Sequence, residues 1–80
     1  MERFNPEAVD LAALAQVLRR ACGDVTVGAV MGRTQLRDAA VEHLGCSQLE
    51  GEQLVDTMVG RGFLVQERLE NGLAVWRIQA

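Results

Sequence analysis

Residues 63–79 read FLVQERLENGLAVWRIQ, two β-prone runs on either side of Asn71 and Gly72. Asn-Gly between such runs is a strong signal for a β-hairpin, because both residues tolerate the positive φ angles of a type I′ turn. A two-residue turn here sets a register in which one face of the hairpin is mainly apolar. We expect this face to pack on helices, with Glu67 at its rim beside Trp76. The pairs on that face are Leu69–Ala74, Glu67–Trp76 and Val65–Ile78, and those on the mainly polar face are Leu64–Gln79, Gln66–Arg77 and Arg68–Val75.

Two helical segments precede the hairpin and are joined by a short turn. The first is predicted to run from a cap at Thr34 to a stop at Gly45, and the second from a cap at Ser47 to Arg61. The gap of three or four residues between them contains a glycine, which is helix-turn-helix spacing. Gly51, inside the second segment, indicates close backbone packing or the approach of another chain. The apolar residues at helical spacing are Leu36, Ala39, Ala40 and Leu44 in the first segment and Leu54, Val55, Met58 and Val59 in the second.

The N-terminal part of the sequence predicts one long helix and one short strand. Residues 1–5 are expected to form a frayed lead, and Asn5-Pro6-Glu7 has the capping, first-turn and acidic residues typical of a helix start. This helix is predicted to continue to Cys22 and to end at Gly23. After it, Val25-Thr26-Val27 predicts a short strand or an extended segment.

The apolar face of this first helix is broad. A stripe of leucines and alanines at three- and four-residue steps is widened by Val9, Ala13 and Val17. Such a face is expected of a central core helix. The alternative is that Val9, Ala13 and Val17 receive a second copy of the chain or a protein partner.

The composition fits one small globular domain over residues 1–80. Of the 80 residues, 49% are hydrophobic and 24% are charged, a balance typical of a folded chain. The net charge is −3, all eight basic residues are arginine, and the last 40 residues hold six acids against three bases. No apolar run approaches the roughly 18 residues that a membrane helix needs, and no signal peptide is visible, so we expect a cytoplasmic protein.

The order helix, short strand, helix, tight turn, helix and two-stranded hairpin resembles the winged helix-turn-helix superfamily. The resemblance is carried by residues 36–45, by residues 47–61 and by the RGFLV stretch at 61–65 that leads into the hairpin, or wing. It implies a mostly α fold with a β-hairpin, a non-enzymatic binding module and, in a homodimer, association through the first helix. The superfamily includes transcription regulators, chromosome-segregation accessory subunits and protein-interaction modules, so the resemblance leaves the ligand open.

The predicted third helix carries the wrong charge for DNA. In DNA-binding members of the superfamily this helix enters the major groove, and duplex DNA carries about one negative charge per 1.7 Å of its axis. Residues 46–60 contain Glu50, Glu52 and Asp56 and no basic residue. We therefore expect protein–protein interaction, including self-association, in a transcriptional or DNA-handling complex. The partner surface is predicted at these three acids or at the broad face of the first helix.

Direct DNA binding as a transcription regulator is the alternative. It would use helix 47–61 and the wing at 63–79, with arginines at phosphates and glutamines at adenines. The candidate contact residues are Arg33, Arg37, Ser47, Gln48, Gln53, Arg61, Arg68 and Arg77. The other interpretation of these arginines is a solvated surface with local ion pairs.

The sequence does not indicate an enzyme, a cofactor, a metal or a small-molecule substrate. His43 and Cys46 come nearest to a nucleophile and base, but they lie at a helix end in a chain too short to enclose a pocket. Cys22 and Cys46 are predicted to be reduced, buried or half-buried thiols, and a disulfide is the less favoured alternative. One histidine and two distant cysteines do not have zinc-site spacing.

Overall fold

The structure is a computed structural model that describes residues 4–79. This part of the chain is mostly helical, with three α-helices and one small antiparallel sheet of three strands. In chain order the elements are α1 (Leu11–Cys22), β1 (Val25–Val27), α2 (Met31–Leu44), α3 (Gln48–Gly60), β2 (Leu64–Arg68) and β3 (Ala74–Ile78). The order helix, strand, helix, helix, hairpin is therefore the predicted one.

The start of the first helix differs from the prediction. Asn5 caps only a short 3₁₀ helix, Pro6–Ala8, which ends in extended backbone at Val9. The helix α1 then begins separately at Asp10, whose carboxylate accepts a hydrogen bond from the Ala13 N–H at 3.1 Å. A continuous helix from Asn5 was wrong because Asp10 supplies a second cap and restarts the helix one turn later. The predicted end at Gly23 is confirmed.

The start of α2 also differs from the prediction. Thr34 is not the cap, because the helix already begins at Met31 and the Thr34 N–H donates to the Val30 carbonyl at 2.9 Å. No side chain caps this end. Instead the loop before the helix supplies acceptors from its backbone, as when the Gly32 N–H donates to the Gly28 carbonyl at 3.0 Å.

The turn between α2 and α3 follows the sequence prediction. Gly45 ends α2 in the left-handed region at φ +66°, a conformation that glycine adopts at little cost. Ser47 caps α3 in a capping box, in which the Glu50 N–H donates to the Ser47 hydroxyl and the Ser47 N–H donates to the Glu50 carboxylate. Gly51 then lies against α2, so its lack of a side chain serves close helix packing.

The hairpin forms where it was predicted, but its register is shifted by one residue. The loop has three residues and not two, because Leu69 and Leu73 form the closing pair and the Gly72 N–H donates to the Leu69 carbonyl at 2.9 Å. Gly72 has φ +85°, as expected of the left-handed residue that ends a three-residue loop. The observed pairs are Leu64–Ile78, Val65–Arg77, Gln66–Trp76, Glu67–Val75 and Arg68–Ala74.

The register shift moves every β2 side chain to the opposite face of the sheet. Leu64 is buried in the core with Trp76 and Ile78, whereas Val65 and Glu67 lie on the face turned away from the helices. Glu67 is therefore opposite Val75 and not at a rim beside Trp76. The strand β3 is central, with β1 on one side and β2 on the other.

The core lies between the three helices and the inner face of the sheet. Phe4 and Phe63 pack against it as partly buried side chains, and residues 1–3 of the expected lead lie outside the described residues. The buried members of the core are Leu11, Leu14, Ala15, Leu18, Leu36, Ala40, Leu54, Val55, Met58, Leu64, Trp76 and Ile78.

Two buried polar groups attach the β1–α2 loop to the sheet. The Thr26 hydroxyl donates to the Gly32 carbonyl at 3.2 Å, and the indole Nε1–H of Trp76 donates to the Ala29 carbonyl at 2.9 Å. Both bonds satisfy groups that would otherwise be buried without a partner. The start of α2 is thereby held against β1 and β3.

Candidate interaction surfaces

The acids of α3 face the arginines of α2. Arg33 Nη2 lies 2.6 Å from the Asp56 carboxylate, and Arg33 Nε lies 3.5 Å from Glu52. Arg37 contacts the Asp38 carboxylate at 2.8 Å and lies 4.0 Å from Glu52. We call these five residues the α2–α3 charge cluster. With two arginines and three carboxylates it has a net charge of −1.

The three acids predicted to meet a partner therefore have partners within the chain. Glu50 is half-buried and belongs to the capping box of α3. Glu52 and Asp56 belong to the α2–α3 charge cluster, although the Asp56 side chain is still 71% exposed. The structure does not leave these carboxylates as a free anionic surface.

The other arginines proposed to contact phosphates are also engaged. Arg61 pairs with Glu7 of the 3₁₀ helix, and Arg77 pairs with Glu67 at 3.0 Å, which raises the pKa of its guanidinium. Arg68 donates to the Gly72 carbonyl of the hairpin loop at 2.8 Å. These contacts lie beside α3, on the sheet and at the hairpin, so the arginines are dispersed over the fold.

The start of α3 presents uncharged side chains to solvent. Gln48 and Gln53, the predicted readers of adenine, are both exposed, and Ser47 is used as the cap. Leu49 lies between them and is 70% exposed, a feature that the sequence analysis did not single out. This end of α3 therefore combines polar and apolar side chains, a composition typical of protein–protein contacts as well as of helices that read bases.

The helix α1 uses most of its broad apolar face for the core. Its leucines and Ala15 are buried, whereas Val9 and Val17 are half-buried and Ala13 is exposed. A shallow depression of about 420 Å³ remains between α1 and α2, lined by Val17, Ala21, Ala39, Glu42 and His43. The predicted partner surface on the first helix is therefore wrong in part: Val9 lies before α1, and of the three residues only Ala13 is exposed.

A second apolar surface lies on the side of the sheet turned away from the helices. We call it the outer sheet face, and its side chains follow from the strand register. They are Val25 and Val27 of β1, Val65, Glu67 and Leu69 at β2, and Leu73, Val75 and Arg77 at β3. Six of these eight are apolar, and the other two form the Glu67–Arg77 ion pair. The sequence did not predict this surface, because the predicted register placed Val65 and Leu69 on the inner face.

Two further large apolar side chains are exposed where the loop after β1 enters α2. Val30 and Met31, at the start of α2, are 75% and 74% exposed. The Gly28 N–H donates to the Ala74 carbonyl at 2.7 Å, so the loop that carries them lies beside β3. Large apolar side chains with this exposure are typical of contact surfaces when they cluster.

The two cysteine thiols both have raised pKa values. Cys22 and Cys46 are both half-buried free thiols, as predicted. Burial raises the pKa of both thiols, and the Glu50 carboxylate adds to this effect at Cys46. A raised pKa leaves less thiolate at neutral pH, which is the opposite of what nucleophilic catalysis needs. Among residues 4–79, no group of three or more His, Cys, Asp or Glu is placed to hold a metal ion.

Comparison of the chain with protein-family models, with curated proteins and with solved structures finds no match. Within residues 4–79, none of the helices combines the length and the hydropathy of a membrane-spanning segment.

Proposed function

We propose that this chain is a non-enzymatic module of the winged-helix type that binds protein, including a second copy of itself, in a transcriptional or DNA-handling complex. In this interpretation α2 and α3 are the helix-turn-helix and the β2–β3 hairpin is the wing. The element order and the three-residue connection between α2 and α3 support the assignment. The fold alone does not choose a ligand.

The net charge of the α2–α3 charge cluster favours a protein partner over DNA. A surface ion pair contributes only about 0.2–1 kcal/mol, so phosphates could displace a single carboxylate from an arginine. The cluster, however, holds more carboxylates than arginines, and its net charge of −1 repels a polyanion. Meanwhile the chain exposes large apolar side chains at Val27, Val30, Met31 and Leu49. Exposed apolar surface without net positive charge is suited to a protein partner.

Direct DNA binding through α3 and the hairpin is the second candidate. Exposed Gln48 and Gln53 at the start of α3 favour it, because glutamine can form two hydrogen bonds to adenine. The scarcity of unpaired arginines opposes it, since phosphate contacts supply most of the non-specific affinity for DNA.

Binding to random duplex DNA at two salt concentrations separates the two candidates. The assay compares about 50 mM with about 200 mM salt, because affinity that depends on phosphate contacts falls steeply between them. We expect binding weaker than micromolar and little dependence on salt. Micromolar or tighter binding with a steep salt slope would contradict the proposed function and support a DNA-binding regulator.

A further inference from the structure

We infer that the outer sheet face is the surface through which two copies of this chain associate. The inference rests on the proposed function and names one partner and one site for it. The sequence prediction of a dimer through α1 is the competing arrangement.

The apolar character of the outer sheet face is the first argument. A solvated face of an antiparallel sheet normally carries polar side chains that alternate with the buried ones. Here the face has six apolar side chains, of which three are exposed: Val27 at 57%, Leu69 at 41% and Leu73 at 40%. Val25 and Val65 are half-buried, and Val75 on the central strand is buried at 2% exposure. By contrast, the corresponding residues of α1 are alanine and half-buried valine. The sheet therefore offers larger exposed apolar side chains than the helix does.

The charges on the outer sheet face favour a second copy of the chain as its binding partner. Glu67 and Arg77 are its two charged residues, one of each sign, and they form a diagonal ion pair across β2 and β3. In a two-fold dimer the same surface meets itself, so Arg77 of one copy can bind Glu67 of the other. A face with equal and opposite charges is complementary to itself. A nucleic acid would instead need an excess of positive charge.

The size of the face predicts a weak dimer. Strands are spaced by about 4.8 Å and rise about 3.4 Å per residue, so strands of three, five and five residues present a footprint on the order of 200–250 Å². Two copies packed face to face would bury about 400–500 Å², well below the roughly 1,200 Å² at which stable interfaces begin. We therefore expect reversible association that depends on protein concentration.

Sedimentation of apolar-to-charged variants tests which surface is used. The wild-type chain is measured from about 10 µM to about 1 mM, a range that covers weak association. Val27→Glu and Leu73→Glu should each raise the dimer dissociation constant at least about tenfold, because they would bury an unpaired charge. Leu44→Glu on α2, where the side chain is 40% exposed, and Ala13→Glu on α1 are the matched controls and should leave it unchanged. Circular dichroism verifies that every variant is folded.

A charge-reversal pair tests the face-to-face geometry. Glu67→Arg gives the face two positive charges and Arg77→Glu gives it two negative charges, so neither variant should self-associate. An equimolar mixture should form a heterodimer with an affinity close to that of the wild type. A purely structural role of the ion pair would not produce this rescue.

Three results would overturn the inference: a wild-type chain that stays monomeric at the highest concentration, folded variants whose mixture does not associate, or association abolished by Ala13→Glu and not by Val27→Glu. The last result would place the dimer at α1 and leave the proposed function intact. Failure of the proposed function itself would be seen separately, as salt-dependent DNA binding.

Discussion

Gly51 of α3 lies so close to Val41 of α2 that a Cβ atom added at Gly51 would be 2.6 Å from Val41 Cγ2. The same Cβ would be 3.1 Å from Cγ of Arg37. Such distances are shorter than carbon atoms tolerate in a close-packed interior. The two helices therefore touch at a point where neither accepts another methyl group without moving.

Gly51→Ala should destabilise the protein by about 1–3 kcal/mol, because overpacking would push α3 away from α2. Helix propensity alone predicts the opposite sign, since alanine in a helix is favoured over glycine by about 1 kcal/mol. Urea denaturation measures the free energy of unfolding. Gly60→Ala in the same helix is the matched control, because nothing lies within 4 Å of an added Cβ there. If both variants were equally stable, the close contact of the helices would be refuted.

Deletion of Glu70 should leave the fold and the register of the hairpin intact. The deletion leaves Asn71-Gly72 as a two-residue loop between Leu69 and Leu73, the pair that already closes the loop. Asn-Gly suits the type I′ turn of such a loop, so we expect the free energy of unfolding to change by no more than about 1 kcal/mol. Cross-strand nuclear Overhauser effects between Leu64 and Ile78 report the register.

Deletion of Gln66 provides the contrast to this variant. It removes a residue from within β2 and reverses the faces of the side chains on one side of the deletion. We expect a much larger loss of stability. A Glu70 deletion as damaging as the Gln66 deletion would show that the three-residue loop is itself required.

Removal of two carboxylates from the α2–α3 charge cluster should create affinity for DNA. Glu52→Gln combined with Asp56→Asn releases Arg33, leaves Arg37 paired with Asp38, and changes the cluster from net negative to net positive. Binding to random duplex DNA should become tighter and more dependent on salt. The free energy of unfolding should fall by no more than about 1 kcal/mol for each ion pair lost.

The control for this variant changes the total charge equally at exposed positions outside the cluster. Glu42→Gln combined with Glu70→Gln serves this purpose, because both side chains are exposed. Equal gains in DNA affinity for the two double variants would mean that total charge, and not the release of Arg33, controls binding.

Features that depend on neighbouring residues could be predicted from the sequence. Ser47 caps α3, Gly45 ends α2 and residues 25–27 form a strand, because capping geometry, a left-handed glycine and β-branched side chains act within a few residues. The hairpin itself was predicted for the same reason. Its register was not, because Asn-Gly also fits a three-residue loop, and a change of one residue in the loop reverses one strand.

Features that depend on tertiary contacts could not be predicted. The helix α2 begins three residues before Thr34 because backbone acceptors of the preceding loop are held by Thr26 and Trp76. The pairing of Glu52 and Asp56 with arginines depends on how α3 is rotated against α2. Helical spacing shows that these acids share a region of α3, but it does not show which neighbour they face.

The hydrogen bond from Trp76 to the Ala29 carbonyl makes tryptophan fluorescence a probe of this part of the molecule. Trp76 is the single tryptophan of the chain, it is 7% exposed, and it sits where β3, β1 and the loop before α2 meet. Its fluorescence emission therefore registers detachment of that loop from the sheet. Since the outer sheet face lies on the opposite side of β3, self-association there leaves the indole in place, and a change in emission marks opening of the loop and not formation of the dimer.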